Sequence, residues 1–435
     1  MDLPNDLRVN LERELRGYDP RSLARVTAEA AARYRDPTAG PPPRGPLAAA
    51  AYAATRMPAT YAACAAALGE LAARLPAFTP RILLDAGAGS GATLWAATRI
   101  WPALERATLI EADRDMAALG QRLAASATAP AVRGAVWVRA DLTAAWDAPP
   151  HDLVTAAYVL GELPDDARPT LVARLWERAR GALVLIEPGT PRGWATIRAA
   201  REQLRATGAA LIAPCPHQQA CPLPADDWCH FSRRLARGRL HRTLKGAELG
   251  YEDEKYAYIA VARQPGQPVG ARVLRHPLVR SGYIELTLCT PDGIRRLSVT
   301  RSAGATWRMA RDLRWGDTLP PEFLNDPQPP TRDQGVARLE QQVKQPMAHW
   351  TFLTNHAQVL LCIARNRSAT AREIAAQVGI TERAVQRILR DLHDAGYISH
   401  TRDGRQNRYE IHEEAPMRHP AQQGHAVREL LELLD

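Results

Sequence analysis

The sequence predicts an α/β fold: a largely parallel sheet with helical crossovers, a helical N-terminal region, a cysteine-bearing basic module and a small C-terminal unit. Three observations predict it. Between residues 79 and 190, short apolar runs alternate with amphipathic stretches of helix length, the pattern of strands joined by helical crossovers. One run leads into a glycine-rich loop, Asp85-Ala86-Gly87-Ala88-Gly89-Ser90-Gly91. Residues 350–435 carry two helix-capping signals followed by a hairpin signal.

The bulk properties bound the answer. A chain of 435 residues is long enough for two or three domains, and 46% hydrophobic residues support a sizeable core. The formal net charge of +9 favours a polyanionic partner, RNA or DNA first. Met1 to Pro20 alternates charges without an apolar core, so no secretory signal is expected. No run of about 18 apolar residues occurs, so no membrane span or membrane partner is expected. The expectation is a cytoplasmic protein whose six cysteines stay reduced, as metal ligands or inert buried thiols.

In chain order, residues 1–78 read as helices with polar caps and Pro breaks. The strand-like runs are Arg81–Asp85, Ala107–Glu111, Ala135–Val138, Leu153–Ala157 and Ala182–Glu187. The domain containing them is expected over 79–318, with the Cys-rich basic module at about 211–300. Leu319 to about His349 is polar and Pro-rich and reads as a linker. Residues 350–435 form the last unit. Charge is uneven: residues 192–315 hold 21 Lys or Arg against 10 Asp or Glu, whereas 350–435 hold 11 against 11. The basic surplus therefore sits in the cysteine-bearing middle.

The glycine loop carries a cofactor prediction. Gly87, Gly89 and Gly91 let the backbone turn sharply and approach a ligand, and the following helix points its N-terminal N–H groups at it. Asp85 precedes the loop. Glu111 ends the second run, about 20 residues later, where a carboxylate accepts ribose hydroxyls. Asp141, in Ala140-Asp141-Leu142, ends the third, at the place of an adenine contact. Together these predict a class I methyltransferase (Rossmann-like) sheet binding S-adenosylmethionine; a dinucleotide-binding fold is the alternative. The catalytic step is not legible. Tyr158-Val159-Leu160-Gly161-Glu162-Leu163 lacks the Asn/Asp-Pro-Pro-aromatic tetrad of many base-nitrogen methyltransferases. Glu162 is the candidate general base, with a cofactor-loop carboxylate as the competing reading. A methyltransferase fold kept as a scaffold also fits.

Cys215, Cys221 and Cys229 are spaced C-x5-C-x7-C, and Cys289 follows 60 residues later. Four thiolates suit zinc or an iron–sulfur cluster, and the spacing does not choose between them. Cys64 and Cys362 sit on apolar helical faces and read as buried thiols. Arg233, Arg234, Arg237, Arg239, Arg242 and Lys245 follow the cluster, with Trp228 and Phe231 nearby. Clustered Arg with aromatics suits phosphate contacts and base stacking.

These segments resemble the methyltransferase-like assembly factors of the mitochondrial ribosomal small subunit and their bacterial relatives, over roughly residues 1–318. The resemblance rests on Met57-Pro58-Ala59-Thr60-Tyr61, the glycine loop, Cys215-Pro216-His217, Cys221-Pro222-Leu223, Trp228-Cys229-His230-Phe231, Tyr251-Glu252-Asp253-Glu254-Lys255 and Arg314-Trp315-Gly316-Asp317. It implies a [4Fe–4S] cluster on Cys215, Cys221, Cys229 and Cys289, and action on the small ribosomal subunit and its rRNA during maturation.

The last unit departs from that family. Thr370-Ala371-Arg372-Glu373 is a capping-box pattern, and Thr381 caps a helix whose apolar face is Val385, Ile388, Leu389 and Leu392. Asp403-Gly404 marks a hairpin. Helix–turn–helix plus hairpin is a winged helix. The unit resembles small bacterial winged-helix regulators through Phe352 to Ala357, Gly379 to Arg387 and Arg418-His419-Pro420. Arg383, Gln386, Arg387 and Arg390 would face a groove, with Arg402, Arg405 and Arg408 on phosphate. The expected function is an S-adenosylmethionine-binding small-subunit factor. The alternatives are a transcription regulator responsive to S-adenosylmethionine or redox state through DNA binding, and a non-catalytic RNA-binding scaffold.

Overall fold

The computed structural model describes residues 3–35, 43–325, 353–403, 406–417 and 424–432. The chain divides into two compact units, residues 1–333 and 334–435.

The larger unit opens with helices α1 (Asn5–Leu15), α2 (Pro20–Arg35), α3 (Pro46–Thr55) and α4 (Met57–Arg74). The last two are Ala-rich and buried nearly all round, as expected of helices apolar on every face. Helix α4 lies across the sheet, with Tyr61, Leu68 and Leu71 fully buried.

The sheet strands are β1 (Ile82–Ala86), β2 (Arg106–Ile110), β3 (Val136–Val138), β4 (His151–Ala157), β5 (Ala179–Pro188), β6 (Ala210–Ala213), β7 (Phe231–Ala236) and β8 (Tyr251–Ala262). All five predicted runs are strands. The spatial order is β3-β2-β1-β4-β5-β8-β6, with β7 also paired to β8. The first five strands are parallel. Strand β8 runs antiparallel to β5, β6 and β7. This is the doubly-wound order with one reversed strand beside β5, the class I methyltransferase sheet. Helices α5 (Ala92–Ile100), α6 (Arg114–Ala124), α7 (Pro130–Arg133), α8 (Ala167–Arg178), α9 (Pro191–Ala206) and α10 (Arg239–Lys245) complete this part. Asp113 caps α6 by accepting from the Asp115 and Met116 N–H groups.

A second sheet follows, built from β9 (Ala271–Val273), β10 (Leu278–Val279), β11 (Tyr283–Thr290), β12 (Gly293–Thr300) and β13 (Thr318–Leu319), with α11 (Ala305–Asp312) and α12 (Glu322–Asn325). It has its own core of Val273, Ile284, Leu286, Leu288, Leu297 and Val299. The boundary expected at residue 319 falls inside this sheet. Strand β13 pairs with β9, and Phe323 is buried in the same core, so the ordered unit runs past the start of the expected linker.

The smaller unit holds α13 (Asn355–Arg365), α14 (Ala371–Val378), α15 (Glu382–Asp394), the hairpin β14 (Ile398–Asp403) and β15 (Gln406–Ile411), and α16 (Val427–Glu432). The Thr370–Glu373 capping box forms, Gly379 ends α14 in the left-handed conformation, and Thr381 caps α15. Val385, Ile388 and Leu392 join Val359, Ile363 and Ile374 in the core. This is the expected winged helix.

Two glycines on helices give contrasting predictions. A Cβ at Gly120 would lie 2.2 Å from the Trp137 ring, whereas one at Gly69 meets nothing within 4 Å. Gly120→Ala is expected to lower stability by about 1–3 kcal/mol through overpacking. Gly69→Ala is expected to raise it by about 0.5–1 kcal/mol by restricting the unfolded chain. Thermal unfolding of both variants checks the pair; equal midpoints would refute the packing assignment.

Candidate functional site

The cofactor loop leaves β1 with Gly87, Gly89 and Gly91 all at positive φ (72°, 56° and 88°). At Gly87 a side chain is also barred by space, because its Cβ would sit 2.6 Å from Val159 Cγ2. Gly91 opens α5. Glu111 Oε2 accepts from the Gly89 N–H at 2.7 Å, and Oε1 accepts from the Asp113 N–H at 2.8 Å. Glu111 thus braces the loop with both oxygens, and each keeps a lone pair for a ligand. The Ser90 hydroxyl is buried in the loop without a partner among the described residues.

Asp85 is buried at the end of β1, where its Oδ1 accepts from the Thr155 hydroxyl at 2.7 Å. Burial raises its pKa to about 7, against hydrogen bonds that lower it, and the nearby Glu111 charge adds to the rise. Glu187, at the end of β5, is also buried and accepts from the Gly161 N–H at 3.2 Å. Burial again raises it to about 7, and Glu162 contributes. Glu162 lies on a 3-10 turn, Leu160–Glu162. Its surface is exposed, but surrounding protein and the charge of Glu111 push its pKa up. Four carboxylates therefore crowd one region with raised affinity for positive charge. Sequence reasoning missed Glu187, a lone acid ending an apolar run. Asp141 lies past the end of β3 at Val138, exposed, and accepts from the Thr143 N–H and hydroxyl at 2.8 and 2.7 Å.

Beside the loop, Tyr158 follows β4 with φ of 60°, an uncommon conformation for a bulky residue. Its hydroxyl donates to Glu254 Oε1 at 2.9 Å, and Arg56 holds the same carboxylate through two N–H groups at 3.1 and 3.0 Å. The position after β4 is thus filled by a closed Tyr–Glu–Arg network.

The second region is a small pocket lined by Cys215, Cys221, Cys229 and Cys289 together with Trp194 and His217. Cys215 follows β6, Cys221 and Cys229 precede β7, and Cys289 comes from β11 of the second sheet. The four predicted ligands, distant in sequence, are brought together. All six cysteines are free. Burial pushes the thiols of Cys221, Cys229 and Cys289 up, and the neighbouring thiols add to each rise. Among the described residues, no three His, Cys, Asp or Glu form a group that could hold a metal ion. Arg201 on α9 donates from Nε to Cys215 Sγ at 3.2 Å, and His217 Nε2 lies 3.5 Å from Cys289 Sγ. Cys64 is buried in α4, with its pKa raised by burial to about 12, and Cys362 is half-buried in α13.

The basic segment is more restrained than its composition suggests. Arg237 and Lys245 both donate to Glu252 Oε2 at 2.8 and 2.7 Å, and Arg234 forms a two-point pair with Asp253. Arg233, Arg239 and Arg242 are exposed. On the winged helix, Arg383, Gln386, Arg387 and Arg390 are all exposed along α15, opposite its buried face, and Arg402 and Arg408 are exposed on the hairpin. Arg405, Phe352 and Arg418-His419-Pro420 lie outside the described residues. No helix among the described residues is long and apolar enough to cross a membrane.

Residues 46–320 match the family model of the mitochondrial small ribosomal subunit Rsm22, and residues 351–408 match that of the MarR family. The human mitochondrial ribosome assembly protein METTL17 is 31% identical over 290 residues, covering 62% of each chain. A mitochondrial Rsm22-cox11 tandem protein of Schizosaccharomyces pombe is 27% identical over 192 residues, covering 33% of this chain and 25% of that one. This chain thus spans less than two thirds of either relative. Among solved structures, magnesium protoporphyrin IX methyltransferase from Synechocystis PCC 6803 with bound SAM is similar at 13% identity and a TM-score of 0.31, covering 57% of this chain and 98% of that one.

The buried carboxylates predict a pH dependence. Asp85 and Glu187 titrate near 7 when folded, above their ordinary values of 3.8 and 4.5. The folded state binds the extra protons, so the stability that these two groups contribute is fully present below the ordinary carboxylate range and is lost as pH rises through 7. Asp85→Asn is expected to flatten that decline in thermal midpoints between about pH 5 and about pH 8; an equally steep decline in the variant would refute the assignment.

Proposed function

We propose, from the premise that this chain belongs to the Rsm22 family of the mitochondrial small ribosomal subunit, that it is a cytoplasmic, S-adenosylmethionine-binding factor of small-subunit assembly carrying an iron–sulfur cluster. The observation that carries this reading is the meeting of four cysteines from two sheets around one pocket, in a chain of this family.

The donor set, four cysteine thiols lining one pocket, suits a sulfur-bound metal group, zinc or iron–sulfur, and the family resemblance favours iron–sulfur. The Trp194 indole N–H lines this pocket, is buried and has no partner among the described residues. An orphaned buried donor costs about 1–3 kcal/mol, so an acceptor within the pocket, such as sulfide or thiolate, answers it. Cys215, Cys221, Cys229 and Cys289 would hold the group, which supplies a cross-link between the sheets and a one-electron couple.

S-adenosylmethionine is both a methyl donor and a cation at sulfur and amine. The raised carboxylates at Asp85, Glu111, Glu162 and Glu187 favour such a ligand, since a nearby positive charge restores their ionised forms. The backbone of the glycine loop cradles it, Glu111 has acceptor capacity for ribose hydroxyls, and Ser90 offers a hydroxyl. The Tyr158–Glu254–Arg56 network occupies the acceptor side, which favours a binding role for the cofactor over base methylation. Assembly with the small subunit and its rRNA follows the family and the relative named for ribosome assembly. The exposed Arg383, Gln386, Arg387 and Arg390 on α15 favour a second nucleic-acid contact and keep a DNA-binding regulator as the rival.

The test combines three measurements. Anaerobically purified wild type is expected to hold about four iron and four sulfide per chain, lost in Cys221→Ala. Calorimetry is expected to detect S-adenosylmethionine binding, lost in Asp85→Ala. The protein is expected to co-sediment with small ribosomal subunits. Sequence-specific DNA retention at physiological salt without co-sedimentation would overturn the assembly role, and zinc in place of iron would overturn the cluster.

A further inference from the structure

Two guanidiniums lie fully buried at the cysteine pocket, and neither was legible as part of it. Arg201 on α9 is 0% exposed and Arg272 on β9 is 1% exposed. Buried cations are costly unless matched by nearby negative charge. The carboxylate partners, Glu202 for Arg201 and Glu70 for Arg272, are about one-third exposed and lie toward solvent. Besides its pairing with Glu202, Arg201 directs its Nε–H at Cys215 Sγ, 3.2 Å away, while another of its nitrogens is fixed by the Gln219 carbonyl at 2.5 Å. Arg272 lines the same pocket and is locked by the carbonyls of Pro214 and Gly316 at 3.0 and 2.6 Å.

We propose that Arg201 is a potential-setting residue of this site: its N–H···S bond to Cys215, with the paired positive charge of Arg272, raises the midpoint potential of the bound cluster. The inference rests on the iron–sulfur reading. Four thiolates around an oxidised [4Fe–4S] core leave a doubly negative group, and two buried guanidiniums match it. Reduction adds one more negative charge. A hydrogen bond to a ligand sulfur and a fixed positive charge both stabilise that electron-rich state, so both raise the potential. The bond is rigid because Arg201 is clamped on three sides, so the donor is already in place when the charge changes.

The test is a redox titration of anaerobically purified full-length protein followed by electron paramagnetic resonance. Variants are Arg201→Gln, which removes the charge, Arg201→Lys, which keeps the charge but not the planar donor, and Arg192→Gln at an exposed position of α9 as control. Arg201→Gln is expected to cut the reduced-to-oxidised ratio at fixed potential about tenfold, which is 59 mV downward for one electron. Arg201→Lys is expected to fall between it and wild type, and Arg192→Gln to match wild type. If Arg201→Gln loses its cluster, Arg201→Lys supplies the shift. A purely structural role would leave the potential of every cluster-bearing variant at the wild-type value, overturning the inference while the cluster reading stands. Wild type without iron and sulfide overturns both.

Discussion

The guanidinium of Arg272 is fully buried, and each of its contacts joins elements remote in sequence. It reaches Glu70 on α4, the Pro214 carbonyl beside Cys215, and the Gly316 carbonyl ahead of β13. The residue itself sits on β9, paired with Cys289 on β11. One side chain thereby fixes the second sheet against the methyltransferase sheet at the point where the cysteines meet. Truncating Arg272 would leave the Pro214 and Gly316 carbonyls without their donor. The position of Cys289, and hence the fourth side of the pocket, depends on that pin more than on any feature of the loop carrying the other three cysteines.

The cofactor region is organised by the opposite sign of charge. Asp85, Glu111, Glu162 and Glu187 influence one another, and the largest cause of each rise in pKa is burial or crowding by protein. The glycine loop stays in place because Glu111 holds the Gly89 N–H and Val159 closes over Gly87. The larger unit thus presents one acidic recess and one basic, sulfur-lined pocket. The proposed ligands, a cationic cofactor and an anionic metal group, are of the sign that each of these two environments would stabilise.

Much of this was legible because each signal was local. The strands of the first sheet are buried on both faces, so they read as continuous apolar runs. The loop glycines, the cysteine spacing and the Thr370 and Thr381 caps are short patterns with one physical meaning each. What escaped depended on distant partners. Strand β12 mixes Arg295 and Arg296 with Leu297 and Val299 and looks like surface until pairing with β11 places Leu297 and Val299 in the core of the second sheet. Arg237 and Lys245 look like free phosphate ligands until β8 brings Glu252 beside them. Arg201 resembles any cation on an amphipathic helix, and only the fold of the cysteine loop removes it from water.

The two regions also share a support. Strand β5 ends with Glu187 in the acidic recess, and after Pro188 and Gly189 the chain enters α9, capped by Thr190. The same helix carries Trp194 and Arg201 to the sulfur pocket. Gly189 is held at both ends, its N–H donating to the Lys255 carbonyl at 2.8 Å and its own carbonyl accepting from the Trp228 indole at 3.1 Å. A Cβ there would lie 2.7 Å from the backbone of Lys255 and Tyr256. The turn between recess and pocket is therefore tightly packed, and displacement of β5 is carried into α9 with little room to dissipate. Whether that contiguity couples the two ligands depends on a second arrangement of α9 that both would bias. Arg201 ties α9 to the cysteine loop through the Cys215 sulfur and the Gln219 carbonyl, so movement of this helix would reach the sulfur pocket through both bonds at once.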